Sequence, residues 1–238
     1  MLKQKNVNMS NEISLVTGAN GHLGNNLVRL LLSENQKVRA TVRNINNKEP
    51  FKGLNCEIVQ ADNTDRESLK KAFKGITNLY AVGANFSMWA KNPKVEIYDN
   101  NVNGTQNVFD IAKECGIKNI VYVSSVASLD FTKSPANVDN GYNKDRRNWY
   151  YNSKNDSDKL AIELGKTYGI RTVLILPSAM IGSEAYKLSY SNNLVYQILN
   201  GEIPVDTNVT LNWVDVKDVA FGAYKAMLKG KNGERYIL

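Results

Sequence analysis

The sequence predicts an α/β fold, a doubly wound parallel sheet with a small C-terminal part, and three observations carry that expectation. Short apolar runs alternate with longer segments whose apolar residues recur at helical spacing. A glycine-rich turn joins the first such run to the first such helix. The alternation continues without an internal repeat, and 238 residues at 42% hydrophobic can bury one sizeable core.

Taken in order, Ile13 to Val16 reads as the first strand, and the periodic segment Leu27 to Leu32 as part of the helix after the glycine turn. Val38 to Val42 is a second strand, with Val38, Ala40 and Val42 sharing one face because side chains alternate along a strand. Cys56 to Gln60 is a third strand, Leu69 to Phe73 lies in the next helix, and Asn78 to Val82 is a fourth strand. A helix from about Asn101 to Cys115 leads to a fifth strand at Ile120. The next helix carries Tyr150 and runs to Tyr168, where Gly169 can adopt the left-handed conformation that ends helices. Arg171 to Leu176 is a further buried strand, stopped by Pro177. The polar segment 131–148, rich in Asn and Lys, reads as a loop over the functional end of the sheet.

Composition narrows the function classes. The net charge is +7, but the basic residues are scattered and form no stripe interleaved with aromatics, which argues against a nucleic-acid partner. No apolar run approaches the ~20 residues that span a bilayer, so no membrane role is expected. The polar residues 1–12 lack the apolar core of a signal peptide and read as a disordered tail, with Met9 an alternative start. Cys56 and Cys115 are expected as buried or free thiols, which fits a reducing cytoplasm. The single histidine, His22, makes a histidine-based metal site an unpromising reading, and none is expected.

Two motifs carry chemistry. The turn Gly18-Ala19-Asn20-Gly21-His22-Leu23-Gly24 sits between a strand and a helix, the context a dinucleotide fingerprint requires. Its glycines let the backbone approach a pyrophosphate, whose charge is favoured at the helix N-terminus. Far downstream, Tyr150 and Lys154 place a phenol and an ammonium on one helical face, four residues apart. The lysine can stabilise a phenolate, and such a tyrosine can exchange a proton with a substrate oxygen while a hydride moves at the adjacent carbon. Solvated helices also carry this spacing, so the pair gains meaning from the upstream turn.

The end of the second strand bears on cofactor choice. An NAD enzyme usually places an acid there to hold the ribose 2′-hydroxyl. This chain has Arg39-Ala40-Thr41-Val42-Arg43-Asn44 and no carboxylate before Glu49. Arg39 and Arg43 could hold a 2′-phosphate with their planar forks, or simply solvate a strand end. The expectation is NADP(H) over NAD(H).

The G-x-x-G-x-x-G spacing and the Tyr-x-x-x-Lys pair resemble the extended short-chain dehydrogenase/reductases, the NAD-dependent epimerase/dehydratase superfamily. Further segments in family order support this: Tyr98 to Thr105, the strand Ile120 to Ser125, the run Pro177 to Gly182, and Trp213 to Ala220. The resemblance implies a Rossmann sheet, with residues 13–176 binding NADP and 177–238 forming a small substrate-binding part interleaved with the last strands. It implies Ser125, Tyr150 and Lys154 as the catalytic set, with Ser125 orienting a substrate carbonyl. Ser124 and Ser128 are rivals for that role; Ser124 is expected on the opposite strand face. It places Asp62 and Asn63 near the adenine, Val82, Gly83 and Ala84 under the adenosine ribose, and Pro177 and Met180 beside the nicotinamide. A homodimer through the helices near 101–115 and 150–168 is also implied.

The second-strand arginines, Trp149-Tyr150-Tyr151 and the ending Gly233 to Leu238 resemble the dihydroflavonol-4-reductase-like branch, which reduces carbonyls with NADPH. The expected substrate is a small carbonyl compound, with Phe86, Met88, Trp89 and Tyr186 as pocket candidates that core packing explains equally well. A nucleotide-sugar epimerase or dehydratase and a non-catalytic NADP(H) sensor are the alternatives.

Overall fold

The computed structural model describes residues 12–85, 90–204, 208 and 210–238. Most of the expected N-terminal tail, and Phe86, Met88 and Trp89, lie outside the described residues. Seven parallel strands form the main sheet in the order β3-β2-β1-β4-β5-β6-β9. They are β1 (Ile13–Val16), β2 (Lys37–Val42), β3 (Glu57–Gln60), β4 (Asn78–Ala81), β5 (Asn119–Val123), β6 (Arg171–Leu176) and β9 (Arg235–Ile237). Two short parallel strands, β7 (Ala179–Ile181) and β8 (Trp213–Asp215), pair separately. The helices are α1 (His22–Ser33), α2 (Arg66–Phe73), α3 (Asn100–Glu114), α4 (Trp149–Tyr168), α5 (Tyr190–Leu199) and α6 (Val216–Lys229).

Alternation along the strands divides the core into two layers. Val38, Ala40 and Val42, with Val121, Val123, Val173 and Ile175, face α1 and α6. Leu15, Leu79, Ile120, Leu174 and Leu176 face the opposite way, onto α2, α3 and α4. Each fully buried large aliphatic contributes on the order of 1.5–3 kcal/mol. Both layers are therefore needed, and a one-residue slip in any strand would exchange them.

Capping explains several boundaries. The Asp65 carboxylate accepts from the Glu67 and Ser68 backbone N–H groups and starts α2. Asn148 does the same for Tyr150 and Tyr151 at 2.9 and 3.1 Å, which fixes where α4 begins and sets Tyr150 in its first turn. At the other end Gly169 adopts φ 66°, as its position predicts.

Three features add to the sequence reading. A π-helical stretch, Lys94–Asp99, runs directly into α3. The C-terminal residues return to the main sheet: α6 packs on α1, and β9 extends the sheet beside β6. The 131–148 loop is tied down at its C-terminal end. Arg146 pairs with Asp156 of α4 at 2.6 Å, the Asn155 amide donates to the Asn143 carbonyl, and Asn143 N–H donates to the Ser128 carbonyl at 3.0 Å.

Candidate active site

The strand order reverses between β1 and β4, whose crossovers leave in opposite directions, and ligands in open α/β sheets gather at such a point beyond the strand C-termini. A cleft of about 980 Å³ lies there, running from the glycine turn to the start of α4 and on to α5.

At the turn, Gly18 takes φ +60° and meets β4: a Cβ on it would lie 2.8 Å from the Gly83 Cα. A Cβ on Gly24 would fall 2.3 Å from the Gly18 carbonyl oxygen. Only glycine lets α1 begin so close to the end of β1. No side chain caps α1, and no acid occupies its first turn. By helix geometry its first N–H groups remain open toward the cleft, as an anion site requires. Thr17 Oγ1 accepts from the Val82 and Gly83 N–H groups at 3.0 and 2.9 Å, and the Asn63 amide donates to the Gly83 carbonyl at 2.8 Å. These bonds stitch β1, β3 and β4 together along the cleft wall.

Gly18, Asn20, Gly21, His22, Leu23 and Gly24 all line the cleft, as do Arg43, Asp62, Asn63, Val82, Gly83 and Ala84. The His22 ring is already engaged: Nε2–H donates to the Gly182 carbonyl at 3.1 Å, which fixes the tautomer. Burial lowers the His22 pKa, against the pull of that bond, so the ring is neutral near pH 7. Its backbone at the start of α1, rather than its ring, is what it offers an anion.

Arg39 requires a correction. Its guanidinium bonds Glu57 at 2.7 Å and the Ala72 and Lys74 carbonyls at 2.7 and 2.8 Å, and it does not line the cleft. Arg39 does share a strand face with Thr41 and Arg43, but it sits mid-strand, four residues or about 13 Å before Arg43 along the chain. There it closes the C-terminal end of α2, where carbonyls lack intrahelical partners. Arg43, past the strand end, is exposed and lines the cleft.

At the far end, Ser125, Tyr150, Lys154, Pro177 and Met180 converge on the same cleft. The Ser125 side chain lies beside the Tyr150 phenol at the cleft end. Burial pushes the phenol well above its ordinary pKa, and the neighbouring Ser125 works against that rise. The sequence reading assigned that lowering to Lys154. In the structure the ammonium instead points at the Val123 carbonyl, 3.3 Å away. Lys154 is 5% exposed, and burial brings its pKa down to about 8, opposed by the charge of Asp158.

Geometry separates the rival serines. Ser128 is buried outside the cleft, donating to Asp158 at 2.9 Å; Ser124 touches the cleft but is buried beside the same carboxylate. Ser125 alone of the three meets the Tyr150 hydroxyl. Sequence reasoning missed Thr41, Asn101 and Tyr122, which also line the cleft. Asn101 bonds Asn85 through both ends of its amide and donates to Ser153 at 3.0 Å. Beyond Tyr150 the apolar and aromatic wall residues are Phe131, Tyr151, Tyr190, Leu194, Leu211 and Trp213, with Ser189, Ser191, Thr210 and Asn212 between them. Phe131 is the one residue of the 131–148 loop among those lining the cleft, and Tyr186 is exposed outside it.

A profile of the NAD dependent epimerase/dehydratase family matches residues 14–238, nearly the whole chain. The chain belongs to this family. A dihydroflavonol 4-reductase-named protein of Synechocystis sp. is 33% identical over 94% of this chain and 66% of its own length. Cinnamoyl-CoA reductase 1 of Petunia hybrida is 29% identical over 89% and 68%. The chain thus spans about two thirds of the length of these relatives. Among solved structures, that of gox2253 superposes with a TM-score of 0.86 at 30% identity, covering 96% of this chain and 70% of that one. Membership implies a nicotinamide cofactor, and the residues present fit one. The Gly18–Gly24 turn lines the cleft, and α1 starts there with no side-chain cap and no acid in its first turn, as a pyrophosphate site requires.

Proposed function

We propose that this protein is an NADPH-dependent reductase that converts the carbonyl of an aldehyde or ketone to an alcohol. Ser125 and Tyr150 side by side, with Lys154 one turn on and the glycine turn in the same cleft, carry the reading. A bound nicotinamide would supply the hydride. Ser125 orients the substrate oxygen and stabilises the charge that develops on it. Tyr150, held protonated by burial, donates the proton to that oxygen. Lys154 supplies positive charge one turn from the phenol and would turn from the Val123 carbonyl to bond the nicotinamide ribose.

The wall beyond Tyr150 favours an uncharged, apolar carbonyl compound over a sugar nucleotide. Among the described lining residues the only Lys or Arg side chains are Arg43, at the adenosine end, and Lys154. A sugar-nucleotide diphosphate would find no cation at the aromatic end, where Tyr190, Leu194 and Trp213 stand instead. The reductase names of the relatives support the same choice. Loss of NADPH absorbance across a panel of aldehydes and ketones, with NADH in parallel, tests it. NADPH-dependent turnover of apolar carbonyls is expected; turnover of a nucleotide sugar alone would overturn the reading.

The preference for NADPH rests on Arg43, with no acid at the end of β2. Arg43→Ala is expected to weaken NADPH binding by about 10- to 100-fold, the equivalent of one charge-assisted phosphate contact, and to leave NADH binding unchanged. Arg39→Met should do the reverse: both affinities hold, while stability falls by about 1–3 kcal/mol as the α2 carbonyls lose their donor. Fluorescence titration and thermal melts read both. An Arg43→Ala variant that binds NADPH as tightly as the parent would remove the cofactor assignment.

A further inference from the structure

One turn beyond Lys154, on the same face of α4, Asp158 is fully buried. Its Oδ2 accepts from Ser128 Oγ at 2.9 Å and lies 3.5 Å from the Arg235 guanidinium of β9. Oδ1 has no hydrogen-bond partner among the described residues, and neither does Arg235 Nε. A pair built for stability would close the two-bond fork that arginine and carboxylate allow. Here both second positions are idle. Buried ion pairs are in any case weak stabilisers, since apolar residues of similar volume often do as well. The fold alone gives little reason for a carboxylate at this place.

Its surroundings give one. Tyr150 and Lys154 on its own helix, Tyr122 of β5, Tyr142 of the adjoining loop and Arg235 all face it, with Ser124 and Ser128 as neutral neighbours. Among the described residues Lys154, nearly dehydrated, has one hydrogen-bond acceptor, the Val123 carbonyl, and no carboxylate in ion-pair contact. We propose that Asp158 is a positioning residue for the proton-transfer pair: its buried carboxylate holds the Lys154 side chain in its charged form. Burial raises the Asp158 carboxyl to about 6, while Ser124, Arg235, Ser128 and Lys154 pull it down. Lys154 loses its proton near 8. Between those values both groups are charged, and this is the window in which Tyr150 is supported.

The proposal rests on the roles given above to Tyr150 and Lys154, but its test needs neither substrate nor cofactor. The Lys154 side chain is titrated by NMR in the apo protein carrying 13C at lysine Cε, with its resonance assigned by Lys154→Met. Asp158→Asn is expected to move the Lys154 midpoint down by about one pH unit, the usual effect of removing one nearby opposite charge. The double variant Asp158→Asn/Arg235→Gln also removes the arginine that the single variant leaves facing a neutral amide, and serves if the single variant does not fold; a downward shift is expected there too. In an active enzyme the alkaline limb of kcat should move with it. An unchanged Lys154 midpoint, with only the melting temperature lowered, would mean that Asp158 merely anchors β9. That result would overturn the proposal and leave the reductase reading standing. Absence of carbonyl turnover would overturn the reductase reading and leave the titration informative.

Discussion

Tyr150→Phe is expected to lower turnover by at least ~10²-fold while NADPH binds as before. The ring of Tyr150 is buried at the cleft end against Ile97 and Ala127, so phenylalanine keeps the packing and removes one oxygen. That oxygen lies beside Ser125. Its loss should fall on kcat and kcat/KM together, the signature of an interaction made in the transition state. The cofactor contacts proposed for the glycine turn and Arg43 lie at the other end of the cleft, and their affinity should hold. Ser125→Ala should give a smaller loss of the same kind, because Tyr150 can still donate. Steady-state kinetics with a carbonyl substrate, beside cofactor titration, measures both. Near-parental turnover by Tyr150→Phe would sink the mechanism.

The parts of this molecule that were legible in its sequence are those decided within a few residues. The period-two alternation of Val38, Ala40 and Val42 marked a core face, and Gly169 marked a helix end. The glycine spacing at 18–24 could be read because a tight turn and a close helix start need glycine at fixed offsets. Arg39 shows the limit. Alternation put it on the face of Arg43, but the carbonyls it binds belong to Ala72 and Lys74, more than thirty residues on. Nothing local distinguishes an arginine that closes a helix end from one that waits for a phosphate.

Asp158 was out of reach for the same reason. It sits four residues past Lys154 in a run that reads as an ordinary charged helix, Lys154-Asn155-Asp156-Ser157-Asp158-Lys159. Its neighbour Asp156 is the surface ion pair that such a run suggests, bound to Arg146. Burial is what separates the two carboxylates, and it depends on β9 docking beside β6, 77 residues away from Asp158 at Arg235. The serine assignment was intermediate. Ser124, Ser125 and Ser128 crowd one strand end, and strand alternation alone could rank the first two but not exclude the third.

Gly24→Ala tests the cofactor end of the cleft as Tyr150→Phe tests the chemical end. A methyl group there would stand 2.3 Å from the Gly18 carbonyl oxygen and 2.8 Å from the Ala19 Cα, both backbone atoms that cannot rotate away. The start of α1 must therefore lift off the turn. Overpacking of this kind costs about 1–3 kcal/mol. Displacing the open N–H groups should also weaken NADPH and NADH alike by at least ~10-fold, since both share the pyrophosphate. Gly21→Ala supplies the comparison, because its added Cβ would meet only the Gly18 carbonyl, at 3.2 Å, where a shift of a few tenths of an ångström suffices. Thermal melts and titrations with both cofactors should rank Gly24→Ala well below Gly21→Ala in each property. Equal behaviour would mean that close approach of α1 to β1 is not what the third glycine provides. Loss of NADPH binding alone would move the defect from the pyrophosphate to the 2′-phosphate, against the placement of the glycine turn.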